Sequence, residues 1–292
     1  MENSIQSLLI SMGICSPDSI QEFYPQVRDR NDIKVMRCSK SGVIFLQRSD
    51  HIDASQYYEK KDKLEYWAAT CRQEALLSCV DDDKRRAEQL ETVIRNKRWL
   101  DIGTGVGGIL DLLAPHAAYV CAVEPQVTAR EELKNLGYHV YKDVGEVEET
   151  NFDVITLFHV FEHMPNPLES LNSIASKMER GQVIIEVPHA KDALLTLFDL
   201  DNFKEFTFWS EHLILHTRVS LEAMLRKAGF RDIQVSGCQR YPLANHLYWL
   251  SKGKPGGHKE WSFLLSKELD DAYNQTLDRL DYTDSLIAIA FK

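Results

Sequence analysis

The run Trp99-Leu-Asp-Ile-Gly-Thr-Gly-Val-Gly-Gly108 constrains this chain more than any other segment. Apolar residues lead into a cluster of glycines and then into a helical pattern, which reads as a β-strand turning sharply into a helix. Gly103, Gly105 and Gly107 let the backbone turn tightly and let a ligand reach main-chain atoms that a Cβ would shield. The helix start behind them offers free N–H groups and the positive end of a dipole. About twenty residues on, the next apolar run ends at Glu124, where a carboxylate can grip ribose hydroxyls.

The surrounding sequence alternates strand and helix. Strand-like runs at 98–102, 118–123, 138–141, 152–158 and 182–187 are separated by helical patterns at 107–113, 127–136 and 168–178. A helix at 220–228 follows, with Ser220 as its cap and Gly229 as its stop, then strands at 231–236 and 285–291. This predicts an α/β, doubly wound, mostly parallel sheet of seven strands with right-handed crossovers. Residues 1–62 read as a small appendage, with strands at 33–36 and 42–46 joined by the polar turn Ser39-Lys40-Ser41. Residues 63–292 form the main domain. One or two helices occupy 63–95, with the charged run Asp81–Arg86 as a solvated turn. An insertion at 237–282, with a helix around 261–280, precedes the last strand.

Composition narrows the function. The net charge of −10 argues against wrapping nucleic acid, which needs clustered Lys and Arg. The six cysteines are scattered, as expected of reduced, buried thiols rather than a disulfide framework. The start MENSIQSLLISMG lacks the pattern of a secretory signal, and no apolar run has the length of a membrane span. A cytoplasmic protein acting on a small molecule is the expectation.

The glycines alone leave two cofactors open, because Gly103, Gly105 and Gly108 also satisfy the G-x-G-x-x-G dinucleotide fingerprint. Asp101, two residues before the first glycine, favours S-adenosylmethionine (SAM), which carries a sulfonium and an amino group but no pyrophosphate. Together, Leu100-Asp-Ile-Gly-Thr-Gly105, Ala122-Val-Glu-Pro125 and Phe152-Asp-Val-Ile-Thr-Leu-Phe-His-Val-Phe-Glu-His163 resemble the class I SAM-dependent methyltransferases over residues 97–230. The resemblance implies a sheet in the order 3-2-1-4-5-7-6 with the seventh strand antiparallel. It implies that Asp101, Gly103, Thr104 and Gly105 surround the methionine part of SAM and that Glu124 holds the ribose. Asp143 and Val144 would lie beside the adenine, and Phe158 and His159 would line the cleft.

Phe161-Glu-His-Met-Pro-Asn-Pro167 and Trp209-Ser-Glu-His-Leu-Ile-Leu-His-Thr217 resemble a bacterial branch that methylates sugars, sugar nucleotides and glycan precursors. By that resemblance Glu211 and His212 lie at the acceptor, making O-methylation and a role in polysaccharide biosynthesis the expectation. Members of this branch carry an N-terminal zinc module of Cys-x-x-Cys pairs. Here Cys38-Ser-Lys-Ser41 lacks the second thiol, and one Cys cannot supply the four ligands that Zn²⁺ wants, so a metal-free remnant is expected and no metal site is assigned. Methyl transfer to a hydroxyl needs alignment and removal of a proton, which a histidine suits. His212, oriented by Glu211, is the first catalytic candidate, and His163 the next. Tyr58, His189, Arg240 and Tyr241 are candidates for acceptor contact: aromatic faces stack on sugar rings and Arg240 suits a phosphate. Two other readings use the same turn. One is a nicotinamide-dependent (NAD) oxidoreductase; the other is a non-catalytic SAM-binding subunit.

Overall fold

The computed structural model describes residues 4–52, 64 and 69–292. The chain opens with α1 (Ser4–Ser11), followed by β1 (Ile20–Tyr24), β2 (Val35–Cys38) and β3 (Ile44–Leu46). After α2 (Arg72–Ile94) the alternating region runs β4 (Arg98–Ile102), α3 (Gly108–Leu113), β5 (Tyr119–Val123), α4 (Val127–Asn135), β6 (Val140–Tyr141), β7 (Val154–Phe158), α5 (Pro167–Ser176) and β8 (Gln182–Pro188). Then come α6 (Asp201–Thr207), β9 (Ile214–Leu215), α7 (Arg218–Lys227) and β10 (Arg231–Cys238). Helices α8 (Leu243–Lys252), α9 (Gly257–Glu260) and α10 (Lys267–Leu280) fill the insertion before β11 (Ser285–Phe291).

The large sheet has the order β10-β11-β8-β7-β4-β5-β6. β4 pairs parallel to β5 and β7, and β11 lies antiparallel between β8 and β10. This is the predicted seven-strand, doubly wound α/β sheet. Its strands carry Leu100, Ile102, Ile155, Leu157, Val183 and Ile185, all buried, as strands covered on both faces require. On one face Trp99 packs with Leu90, Ile94, Leu110 and Leu133 of the flanking helices.

The appendage is joined to this core. β1, β2, β3 and β9 form a second, antiparallel sheet, with Phe45 opposite Ile214. Ile5, Leu9 and Phe45 are buried in the same cluster as Phe161, Ile214 and Leu286. Cys38 and Cys15 lie on either side of Ser41, whose N–H donates to Cys38 Sγ at 3.4 Å. Ser19 Oγ lies 3.2 Å from Cys38 Sγ and Ser41 Oγ lies 3.9 Å from Cys15 Sγ. Cys15 comes from the turn after α1 rather than from a Cys-x-x-Cys neighbour.

Two local expectations are corrected. Helix α7 is capped by Thr217, not by Ser220: Ser220 returns the bond from the third helical position, with the Thr217 N–H donating to Ser220 Oγ at 2.9 Å. The run Asp81–Arg86 is not a solvated turn but the middle of α2, where Asp83 and Arg86 are buried. Among the described residues no helix is long and apolar enough to cross a membrane.

Candidate active site

Ligands of a parallel sheet bind beyond the carboxyl ends of its strands, where the order reverses. Here that point lies between β4 and β7. The glycine turn leaves β4 with Gly103 at φ +72°, and a Cβ at Gly103 would overlap the side chain of Val160. The turn is thus both left-handed and pressed against the loop after β7, which excludes any larger residue.

Two buried carboxylates face this turn. Asp101, within β4, accepts a hydrogen bond from Thr156 Oγ1 at 2.5 Å, and Trp99 Nε1 donates to the same hydroxyl at 2.8 Å. Burial pushes the Asp101 carboxyl up to about 6, against the lowering bonds from Thr156 and Thr104. Glu124, just after β5, accepts the Gly105 N–H at 2.7 Å on one oxygen and the Gln126 N–H at 2.8 Å on the other. Burial pushes it up to about 7, although both backbone bonds favour its charge. Each oxygen keeps a second lone pair for a ligand hydroxyl.

Beyond β7 the chain makes a tight turn at Phe161–His163. His159 precedes it at φ +55°, a conformation costing a non-glycine residue about 1 kcal/mol and held here by its surroundings. Its Nε2 lies 3.1 Å from Glu186 Oε1 and its Nδ1 3.3 Å from Glu162 Oε1, the latter without hydrogen-bond geometry. Glu162 is fully buried and neither of its oxygens has a hydrogen-bond partner. His163 Nδ1 donates to the backbone carbonyl of Glu211 at 2.8 Å, and its Nε2 lies 3.9 Å from Glu162 Oε1. The His212 ring is centred 5.1 Å from that of His163, and Trp209 packs edge-on against both. Burial raises the Glu162 carboxyl, but the His159 contact and the neighbouring imidazoles outweigh it and leave it lowered to about 2. Burial lowers His212 to about 3, so at neutral pH its ring is uncharged and keeps a lone pair. One ligand atom from each of Glu162, His163 and His212 lies within 4.8 Å of the others.

Helix α2 closes over the neighbouring strand end. Arg85 and Arg86 donate to Glu186 Oε1 at 2.8 and 3.0 Å, and Arg86 lies 4.7 Å above the Phe158 ring. Arg240 pairs with Asp82 and approaches Glu186 at 3.8 Å. Its charge is therefore committed inside the protein, and the expectation of a free cation for a phosphate is corrected. The chain beyond Tyr241 enters helix α8, where His246 is buried with its Nδ1 2.8 Å from the Tyr273 hydroxyl. Tyr241 remains exposed beside Arg240.

His189 is not at an open cleft either. Its ring is buried, with Nδ1 donating to the Thr283 carbonyl at 3.0 Å and Nε2 3.5 Å from Asp281. Asp143 caps the short turn after β6, accepting the Gly145 N–H at 2.8 Å, with Val144 as the first residue of that turn. Tyr58 lies outside the described residues. Glu162, Thr156 and Glu186 were missed as site residues. Only Glu162, next to a named histidine, had a sequence signal.

Comparison with known proteins agrees with this fold. The sequence model of a family described as a methyltransferase domain matches residues 58–235. A ubiquinone biosynthesis O-methyltransferase of Photobacterium profundum is 25% identical over 171 residues, covering 53% of this chain and 72% of that one. Its counterpart in Coxiella burnetii is 21% identical over 140 residues, 45% of this chain, so the chain spans 60% of the length of that relative. A SAM-dependent methyltransferase structure from Archaeoglobus fulgidus superimposes with a TM-score of 0.51 at 20% identity, covering 78% of this chain and 97% of that one. At that identity the likeness shows the fold. The chain belongs to the methyltransferase-domain family, and its cofactor is S-adenosylmethionine.

Proposed function

We propose that the chain transfers the methyl group of SAM to a hydroxyl oxygen of a small acceptor, a sugar or glycan precursor. The observation that carries this reading is the meeting of the two distant segments, 161–167 and 209–217, in one group of side chains. His163, His212 and Trp209 pack ring against ring beside a buried carboxylate. This group follows the strand next to the glycine turn, and Val160 of the same loop touches Gly103. A hydroxyl held there would have an aromatic face for its ring and imidazole nitrogens beside its oxygen. Asp101 and Glu124 would hold the donor on the other side of that contact, by the charge of the first and the ribose bonds of the second.

A second acceptor class has specific support. The curated relatives are named as O-methyltransferases of ubiquinone biosynthesis, which favours a phenolic hydroxyl over a sugar. Transfer of labelled methyl from SAM to sugar nucleotides and to substituted phenols, run side by side, separates the two. The same assay tests the reading itself. His212→Ala should lower turnover far more than SAM affinity. Equal losses would put His212 in the cofactor site, and no transfer to any hydroxyl acceptor would leave a non-catalytic SAM-binding protein.

A further inference from the structure

We propose that Glu162, His163 and His212 form a binding site for a divalent transition-metal ion, with Zn²⁺ the best match, that leaves open positions for an oxygen of the acceptor. The donor set of two imidazoles and one carboxylate is that of open zinc sites, where a fourth position stays free for water or substrate. The three ligand atoms lie within 4.8 Å of one another. A tetrahedral ion with bonds of about 2.1 Å would draw them to about 3.4 Å, a shift within side-chain rotation.

Three features of the site ask for a cation. Both oxygens of Glu162 and the Nδ1 of His212 are buried without a hydrogen-bond partner. Among the described residues Glu162 is the one carboxylate with both oxygens in that state. A buried charge left so is costly unless an ion or a donor meets it. His163 sets the polarity of the contact. Because a carbonyl only accepts, Nδ1 carries a proton toward Glu211, which leaves Nε2 as the ring nitrogen available to an ion, 3.9 Å from Glu162 Oε1. A backbone carbonyl behind the ring is also how metal-ligating histidines are commonly oriented.

The acceptor part of this inference rests on the proposed transfer to oxygen; the metal site does not. An acceptor hydroxyl on the open position would lose its proton to water more readily. Its oxygen pair would form the new O–C bond as the methyl C–S bond breaks, the electron pair of that bond returning to sulfur to leave S-adenosylhomocysteine.

His159, 3.3 Å from the same carboxylate, is the competing source of positive charge. The test separates it. The full chain is stripped with chelator, titrated with Zn²⁺ by calorimetry, and loaded with Co²⁺ for visible absorption. One equivalent should bind, with the d–d bands of a tetrahedral nitrogen/oxygen site. Glu162→Gln and His212→Ala should each weaken binding at least tenfold, while His159→Gln should retain it. No stoichiometric uptake by the wild-type chain would overturn the proposal, as would equal uptake by both ligand variants. The Co²⁺ spectrum of the wild-type chain decides even if a variant fails to fold. Metal uptake without methyl transfer to oxygen would refute the acceptor reading and leave the site standing.

Discussion

Lowering the pH should release the cofactor, by an amount the two buried carboxylates fix. In the proposed site SAM would place its positive charge near Asp101 and its ribose hydroxyls on Glu124, and both interactions are strongest with ionised carboxylates. Burial has raised Asp101 to about 6 and Glu124 to about 7. At about pH 8 both are charged. At about pH 5 the charged fractions fall to about one in ten and about one in a hundred, so affinity should drop about a thousandfold, or about 4 kcal/mol. The sign follows from the direction of the shifts. The unliganded protein holds these protons above the ordinary carboxylate range, and binding a cation expels them. Isothermal titration of SAM from about pH 8 to about pH 5, in buffers of differing ionisation enthalpy, measures affinity and proton release together. Asp101→Asn should lose affinity at about pH 8 and halve the slope of the profile below about pH 6; Glu124→Gln should remove the decline between about pH 7 and about pH 6. An affinity that stays flat across this range, with no proton released, would refute the assignment of these two acids to the cofactor.

Other perturbations test the frame around the site. Gly103→Ala should destabilise the chain by about 1–3 kcal/mol and weaken SAM binding, since it forces a Cβ at φ +72° into Val160; Val160→Ala in the same chain should recover part of the thermal stability. Glu186→Gln should cost about 3–5 kcal/mol in urea unfolding, because it leaves Arg85 and Arg86 facing each other without their shared carboxylate. Glu186 lies well below its ordinary range despite its burial, held there by His159 and Arg86. Its stabilisation is therefore present above the ordinary carboxylate range and lost as pH falls, and the difference between wild type and variant should shrink in acid. Thr217→Ala should cost about 1 kcal/mol by removing the cap of α7, read as a lowered Tm.

The sheet was legible because its signals are local. The apolar runs of β4 and β7, the glycines after β4 and the acids at 101 and 124 each follow from period and position within a few residues. The placing of His163 against His212 was not legible, since it depends on β9 pairing with β3 and carrying the segment after Trp209 back over the turn at 161–163. Charge misled in one place. Asp82, Asp83, Arg85 and Arg86 have the composition of a solvated face, yet on this helix Asp82 and Asp83 pair with Arg85 and Arg86, which both reach Glu186. A sequence window cannot see the buried partner that offsets such a cost. The same reason removed Arg240 from the acceptor candidates, because its partner Asp82 lies in a distant helix.

The most direct test is a crystal structure of the chain with SAM bound. The donor should lie across Gly103–Gly105, with its amino group toward Asp101, its ribose hydroxyls on Glu124 and its methyl group directed at Glu162, His163 and His212. A donor bound elsewhere, or one whose methyl group points away from those three side chains, would contradict the account.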